Sequence, residues 1–439
     1  MEAIDLLIDA RWVVPVEPAG TVLDHHSVAV RDGKIVAILP ANAAAARFDA
    51  REQVALDEHA LIPGLVNLHT HAAMALMRGL ADDLPLMTWL TAHIWPAEAK
   101  HVSHEFVRGG TVLACAEMMR GGVTCMSDMY FFPEAAAEAT LRAGMRAALG
   151  LIAIEFPTAY AANADDYLSK GLALRDQLRH EELLSFCLAP HAPYTVSDTT
   201  FSRIAGYAAE LGLPVHVHLH ETAHEIVDTA NAFGRMGERP LARLHRLGLV
   251  NPQLIAVHAV HLADEDIKLL AKYGASVAHC PTSNLKLASG IAPVAALLDA
   301  GVNVGIGTDG AASNNRLDMF AEMRLAALLA KGASGRADAV PAHAALHAAT
   351  LAGARALGLD DRTGSIVTGK YADLAAVHLG EIESLPLFDP VSHLIYVAGR
   401  HDVSDVWIGG KQVVKKQQLT WIEKQELVSL ALMWQNRLQ

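Results

Sequence analysis

Eight short apolar, β-branched runs, each followed by a stretch of helical period, constrain the fold of this chain most tightly. They are residues 65–69, 123–128, 147–154, 183–191, 214–220, 254–260, 275–280 and 303–309. Such alternation is the pattern of repeated βα units feeding a parallel sheet. Eight is the number that closes a (β/α)8 barrel of the TIM type. Most of the runs close in His, Asp or Glu, and in a barrel those ends all face one mouth.

A barrel does not use all 439 residues. Before Pro63 the segments DLLIDARWVVPV, HHSVAVRDGKIVAILP and QVALDEHALIP alternate apolar and polar residues around a hairpin signal at Asp32-Gly33. The β pattern returns after residue 361 in GSIVTGKYADLAAVHLG and DVSDVWIGGKQVVKK. We therefore expect residues 1–60 and 361–420 to pair into a composite β-sandwich, residues 61–360 to form the barrel, and residues 421–439 to form a C-terminal helix.

The formal charge of −13 is spread along the chain and disfavours nucleic acid or an anionic membrane as partner. No run has the apolar length of a membrane span, and MEAIDLLIDARWVVP lacks the basic and apolar regions of a signal peptide. Cys115, Cys125, Cys187 and Cys280 have no metal-knuckle spacing and sit in apolar runs, as reduced thiols of a cytoplasmic protein would.

The chemistry concentrates at the strand ends. His69 and His71 are two apart, so their imidazoles share one face of a strand and can bind one cation. Spacing alone is equally compatible with two hydrogen-bonded barrel histidines. His216, His218 and His220 also share a face, so geometry does not choose among them, and Glu221 adds a carboxylate just beyond. A barrel interior is normally Val, Ile and Leu, which makes three histidines there unlike packing. His258 lies in the sixth run, in LIAVHAVHL, with His261 beyond it. Asp309 closes the eighth in GIGTDGAASNN, where an ordinary turn aspartate is the competing explanation.

Together PGLVNLHTH, HVHLHET, AHCPTSNLKLASG and GTDGAASNN resemble the amidohydrolase superfamily, and within it the 5'-methylthioadenosine/S-adenosylhomocysteine deaminases. The resemblance covers nearly the whole chain. It implies His69, His71, His218 and Asp309 as metal ligands, with one zinc ion per subunit; iron or manganese also suit this donor set. It implies Glu221 as proton shuttle and His258 as the histidine that, with Asp309, orients a water and accepts its proton. Glu98 in WPAEAK would bind the ribose hydroxyls, and His191 in APHAPYT would contact substrate. His216, His220, His261 and His279 are left in supporting roles. The reaction implied is hydrolytic deamination of a purine nucleoside: hydroxide adds at C6, and ammonia leaves after Glu221 delivers protons, as a non-ligating Glu does in other zinc deaminases.

Three enzymatic alternatives share the fold. A binuclear, dihydropyrimidinase-like hydrolase needs a lysine at the end of the fourth strand, where this chain has Leu188-Ala189-Pro190-His191. A triazine chlorohydrolase has no need of a proton donor such as Glu221, because halide leaves unprotonated. Guanine or 8-oxoguanine deaminases leave Glu98 without a ribose to hold. A non-catalytic metal-binding scaffold would be expected to lose Glu221, His258 and Asp309 first, and all are present.

The substituent at the nucleoside 5' position is the finer question. Relatives that accept S-adenosylhomocysteine use arginines for its carboxylate, and one often follows the third strand. Here ALGLIAIEFPTAYAAN intervenes, with no arginine between Arg146 and Arg175. A buried carboxylate without a charged partner is costly. We expect 5'-methylthioadenosine to be preferred and adenosine to be slower, unless Arg175, Arg179 or an arginine from a neighbouring subunit supplies the clamp. Residues 72–92, rich in Met, Leu and Trp, read as a lid over the 5' end, with Met87 and Trp89 touching the thioether. The pattern leaves open whether the chain forms a homo-oligomer.

Overall fold

The computed structural model describes residues 1–233 and 235–439. Four strands come first: β1 (Glu2–Val13), β2 (Leu23–Arg31), β3 (Lys34–Pro40) and β4 (Phe48–Pro63). The β2–β3 turn is the expected Asp32-Gly33 pair. Both residues have positive φ (52° and 74°), as a two-residue hairpin loop requires. A short helix, Ala41–Arg47, interrupts this otherwise β segment.

The eight expected strands follow as β5 (Leu65–Thr70), β6 (Val123–Asp128), β7 (Arg146–Ala153), β8 (Leu184–Pro190), β9 (Val215–Leu219), β10 (Leu254–His258), β11 (Ser276–His279) and β12 (Asn303–Ile306). They form one parallel sheet in chain order. Nearly every residue in them is buried, as strands covered on both faces must be. Several are shorter than their apolar runs. β12 ends at Ile306: the Gly307 N–H still donates to the His279 carbonyl of β11 at 2.9 Å, and Thr308 and Asp309 then turn toward β5.

That turn closes the barrel. The Thr308 backbone N–H donates to Asn67 Oδ1 at 2.9 Å, Asn67 Nδ2 donates to Thr308 Oγ1 at 2.7 Å, and the Asp309 N–H donates to the His69 carbonyl at 2.9 Å. The approach is so close that a Cβ on Gly307 would stand 2.7 Å from the His69 nitrogen, so only glycine fits at the seam.

After the barrel come β13 (Leu374–His378), β14 (Val403–Ile408), β15 (Lys411–Lys415) and β16 (Gln418–Leu419). The terminal segments join in a single mixed sheet of order β16-β15-β14-β13-β4-β1-β2-β3. Its two halves curl around a shared apolar core that includes Ile8, Val30, Ile35 and Trp407. The helix Pro390–Tyr396 lies within the second β segment but packs on the barrel helices Ala342–Ala348 and Met319–Ser334. The last helix is Lys424–Leu438. Arg146, at the foot of β7, makes a buried two-pronged contact with Asp373 (2.8 and 3.2 Å), tying the barrel floor to the sheet. No helix among the described residues is long and apolar enough to cross a membrane.

Candidate active site

The ends of four barrel strands bring five groups together. His69 and His71 come from β5, His218 from β9, His258 from β10, and Asp309 from the turn after β12. His69, His71 and His218 offer ligand atoms within 4.8 Å of one another, and so do His69, His258 and Asp309. The Nε2 atoms of His69 and His71 stand 3.4 and 3.3 Å from Asp309 Oδ1.

Each imidazole is oriented from behind. The Nδ1–H of His71 donates to the Met129 carbonyl (2.5 Å), that of His218 to the His191 carbonyl (2.7 Å), and that of His258 to Asn284 Oδ1 (2.8 Å). A carbonyl can only accept, so the proton is on Nδ1 and Nε2 is left as a lone pair facing the centre. Asp309 Oδ2 accepts from Ser283 Oγ (2.6 Å) and Ser313 Oγ (2.9 Å), which aims Oδ1 at the same point.

Electrostatics agree with the geometry. Burial lowers His69 to about 4 and His218 well below its ordinary value, keeping both neutral as ligands must be. Burial opposes ionisation of Asp309, but the neighbouring imidazoles, His69 foremost, outweigh it and hold the carboxyl well below the usual range. His69 Nε2 is buried with no hydrogen-bond partner. A cation at the centre of three imidazoles and a carboxylate satisfies that orphaned atom, so the residues fit a zinc-like ion. His258 and Asp309 carry positive φ (70° and 60°), a strain tolerated where tertiary contacts over-determine the backbone.

The structure separates the three histidines that period two left equivalent. His218 joins the cluster. His216 sits one layer deeper, with its Nε2 3.1 Å from His69 Nδ1. His220 has φ 54° and turns away, its Nε2 accepting from the Leu241 N–H at 3.2 Å. His261 donates to the Ser289 carbonyl at 2.7 Å, and His279 is buried.

Glu221 is buried, with Oε1 3.9 Å from His258 Nε2, and burial raises its pKa. The backbone N–H groups of His220 and Glu221 donate to Glu225 at 2.8 and 2.7 Å. Glu225 thus fixes the backbone that carries Glu221. No motif pointed to it, because its role exists only once the strand end is folded over it.

A cavity of about 620 Å³ opens above this cluster. Glu98 lies on its wall, accepting a hydrogen bond from the Tyr130 hydroxyl at 2.7 Å, and burial lifts its carboxyl to about 7 against that bond. His191 and Trp89 also line it. Met87 does not: 40% exposed, it is a correction to the expected lid contacts. The physical reason is helical phase. Leu86, Trp89 and Leu90 share one face at i, i+3 and i+4, and Met87 points off it.

The lid itself is a helix from Leu86 to His101 with a π turn at Leu90–Ile94. Trp89 and Glu98 are nine positions apart. In an unbroken α-helix at roughly 100° per residue they would face opposite ways. The π turn absorbs one extra residue and brings both to the cavity. Trp95, Phe156 and Tyr130 line the cavity too and were not foreseen. Arg175 lies on the helix Ala164–Leu178, paired with Asp176 at 2.7 Å, and neither it nor Arg179 lines the cavity.

Residues 60–413 match the model of the amidohydrolase family. The chain belongs to the amidohydrolase family. Within that family, it is 48% identical over 435 residues to a 5-methylthioadenosine/S-adenosylhomocysteine deaminase of Teredinibacter turnerae, covering 99% of this chain and 98% of the relative. It is 46% identical to one of Saccharophagus degradans, covering 99% and 97%. Among solved structures, an adenosine deaminase from Xanthomonas campestris with bound zinc superposes with a TM-score of 0.98 at 52% identity, covering 100% of this chain and 99% of that one. An atrazine chlorohydrolase from Arthrobacter aurescens superposes at 0.90 with 23% identity, covering 98% and 99%, and shares the fold. The resemblance read from the motifs is borne out, and this amidohydrolase is a hydrolytic deaminase.

Proposed function

We propose that this amidohydrolase hydrolyses the 6-amino group of adenine nucleosides, with 5'-methylthioadenosine preferred over adenosine and S-adenosylhomocysteine. One observation carries the reading: a single cavity has the imidazole–carboxylate cluster and Glu221 at its floor, Glu98 on its wall and apolar side chains beyond, with no Lys or Arg among its lining residues. The names of the relatives support adenine nucleosides as the substrate class.

His69, His71, His218 and Asp309 would hold one zinc ion, which when bound lowers the pKa of water to about 7 and supplies a nucleophile at neutral pH. Glu221, whose pKa burial raises, donates a proton to the purine ring nitrogen N1, recovers one from the attacking water by way of His258 and Asp309, and passes it to the leaving amine. His258 and Asp309 face the same point and take up the proton released there. Glu98 accepts from the ribose hydroxyls, with Tyr130 holding it in place. His191 closes the side of the cavity beside His218. The fully buried, unpaired cysteines support a cytoplasmic enzyme acting on a small molecule.

The test is kcat/KM for the three nucleosides, read by ammonia release with metal analysis of the same sample. A clear preference for S-adenosylhomocysteine would sink the ordering, and no ammonia from any of them would sink the deaminase reading.

A further inference from the structure

Glu322 is a buried carboxylate that the proposed reaction does not use. It lies in the first turn of the helix Met319–Ser334, whose buried residues, Met319, Met323 and Ala326 among them, are otherwise apolar. A carboxylate taken out of water is costly unless donors surround it. Burial pushes this one up to about 7, against the hydrogen bonds it accepts. Packing alone would be served better by leucine or methionine at this position.

Its two oxygens reach two different turns at the barrel mouth. Oε2 accepts from the Thr282 N–H at 3.1 Å, in the short helix Pro281–Lys286 after β11. Oε1 accepts from Asn314 Nδ2 at 2.8 Å, in the short helix Ala311–Asn314 after β12. The residues next to these contacts are Ser283 and Ser313, whose hydroxyls donate to Asp309 Oδ2 at 2.6 and 2.9 Å. Asn314 Nδ2 also donates to the Thr308 carbonyl at 2.6 Å, which fixes the peptide just before Asp309. Asp309 itself sits at φ 60°, a conformation that persists only where its surroundings hold it. One carboxylate thus braces both the backbone and the side chain of Asp309 through their neighbours.

Helix capping is the plainer explanation. The helix Pro281–Lys286 has no side-chain cap at Cys280, and the Thr282 N–H is one of its orphaned donors. Capping accounts for Oε2 and leaves Oε1 unexplained, because Asn314 closes its helix rather than opening it and donates from its side chain. We propose that Glu322 is a positioning residue for Asp309: it holds the Ser283 and Ser313 turns in place, so that Asp309 Oδ1 stays aimed at the point where His69 and His71 converge. The inference rests on the metal-ligand reading above. Glu322→Gln breaks the arrangement with little change of shape, since one end of an amide accepts and the other only donates.

The experiment measures zinc affinity of the full chain by chelator competition, and ammonia release from adenosine per bound zinc. Glu322→Gln is expected to weaken zinc binding roughly 10–100-fold, the usual effect of losing a partner behind a ligand, and to lower kcat with KM nearly unchanged. In a chain that already carries Ser283→Ala and Ser313→Ala, the same substitution should cost at least about threefold less zinc affinity, because members of one hydrogen-bond network are not additive. Glu322→Asp keeps the charge and withdraws it by one methylene, so it should fall between wild type and Glu322→Gln, and it carries the test if the glutamine variant does not fold. Unchanged zinc affinity and kcat in the folded variants, with only the Tm of the metal-free chain lowered, overturns the inference and leaves Glu322 a helix cap. Equal losses with and without the two serines overturn the route through them. A wild-type chain that takes up no zinc overturns the metal-ligand reading as well.

Discussion

His69 Nδ1 lies 3.1 Å from His216 Nε2, so one wholly buried imidazole orients another. Nδ1 of His216 is in turn 3.4 Å from Ser127 Oγ, deeper in the barrel. The contact leaves His69 Nε2 facing the centre. Removing such a supporting partner typically costs 10–100-fold in metal affinity. His216→Ala is therefore expected to weaken zinc binding by about that factor, measured by chelator competition. Unchanged affinity would show that the backbone alone orients His69.

Glu221 stands beside the cluster rather than within it, since neither group of converging ligand atoms includes it. Glu221→Gln should keep its zinc and lose kcat by roughly 10²- to 10⁴-fold, the usual contribution of a general acid–base. Metal content and ammonia release on one sample check this. A variant that loses zinc with its activity would make Glu221 a ligand.

Glu98 gives the pH dependence. Burial raises its carboxyl from 4.5 to about 7, with the Tyr130 hydroxyl acting in the opposite sense. The ionised form accepts hydrogen bonds from sugar hydroxyls best. KM for a nucleoside should then fall as pH rises through about 7 and climb as Glu98 is protonated below it. Tyr130→Phe removes a bond that favours the ionised form, so the step should move to higher pH. Glu98→Gln should abolish the step and cost roughly 1.5–3 kcal/mol in kcat/KM. A KM profile that is flat across pH 7 in the wild type would contradict this.

Trp89 and Met87 are two residues apart on the lid, yet only Trp89 lines the cavity. Trp89→Ala should raise KM for methylthioadenosine more than for adenosine. Met87→Ala, at an exposed position, should change neither by more than about twofold, in keeping with surface substitutions worth within ±0.5 kcal/mol. Equal effects of Trp89→Ala on both nucleosides would reduce Trp89 to packing.

Stripping the metal should lower thermal stability. At free zinc a hundredfold above Kd, binding contributes about 2.7 kcal/mol by mass action. Scanning calorimetry with and without chelator should show Tm falling by several degrees and recovering on zinc addition. No shift would mean that the cluster does not bind zinc at that concentration.

Much of this was legible from local pattern. The eight strands fell where β-branched runs alternate with helical ones, and the Asp32-Gly33 turn where two adjacent residues take positive φ. His69, His71, His258 and Asp309 were marked by their places at or near strand ends, and His218 by the family resemblance. The misreading of Met87 came from a lid treated as a loop. The phase of its helix, and the π turn that lets Trp89 and Glu98 share a cavity, depend on what the helix packs against.

Periodicity is a short-range property, written into a few neighbouring side chains, and so the sequence by itself determined the barrel, the ring of polar strand ends and the family. It could not choose among His216, His218 and His220, which period two makes equivalent. Tertiary structure decided that. Closure of the seam between β5 and β12 joins His69 to Asp309, far apart in the chain, and the positive φ of His220 swings its ring out. Tertiary structure also set Glu225 under Glu221, and Phe156 across from Trp95. Such contacts join distant segments and exist only after the whole sheet has closed on itself.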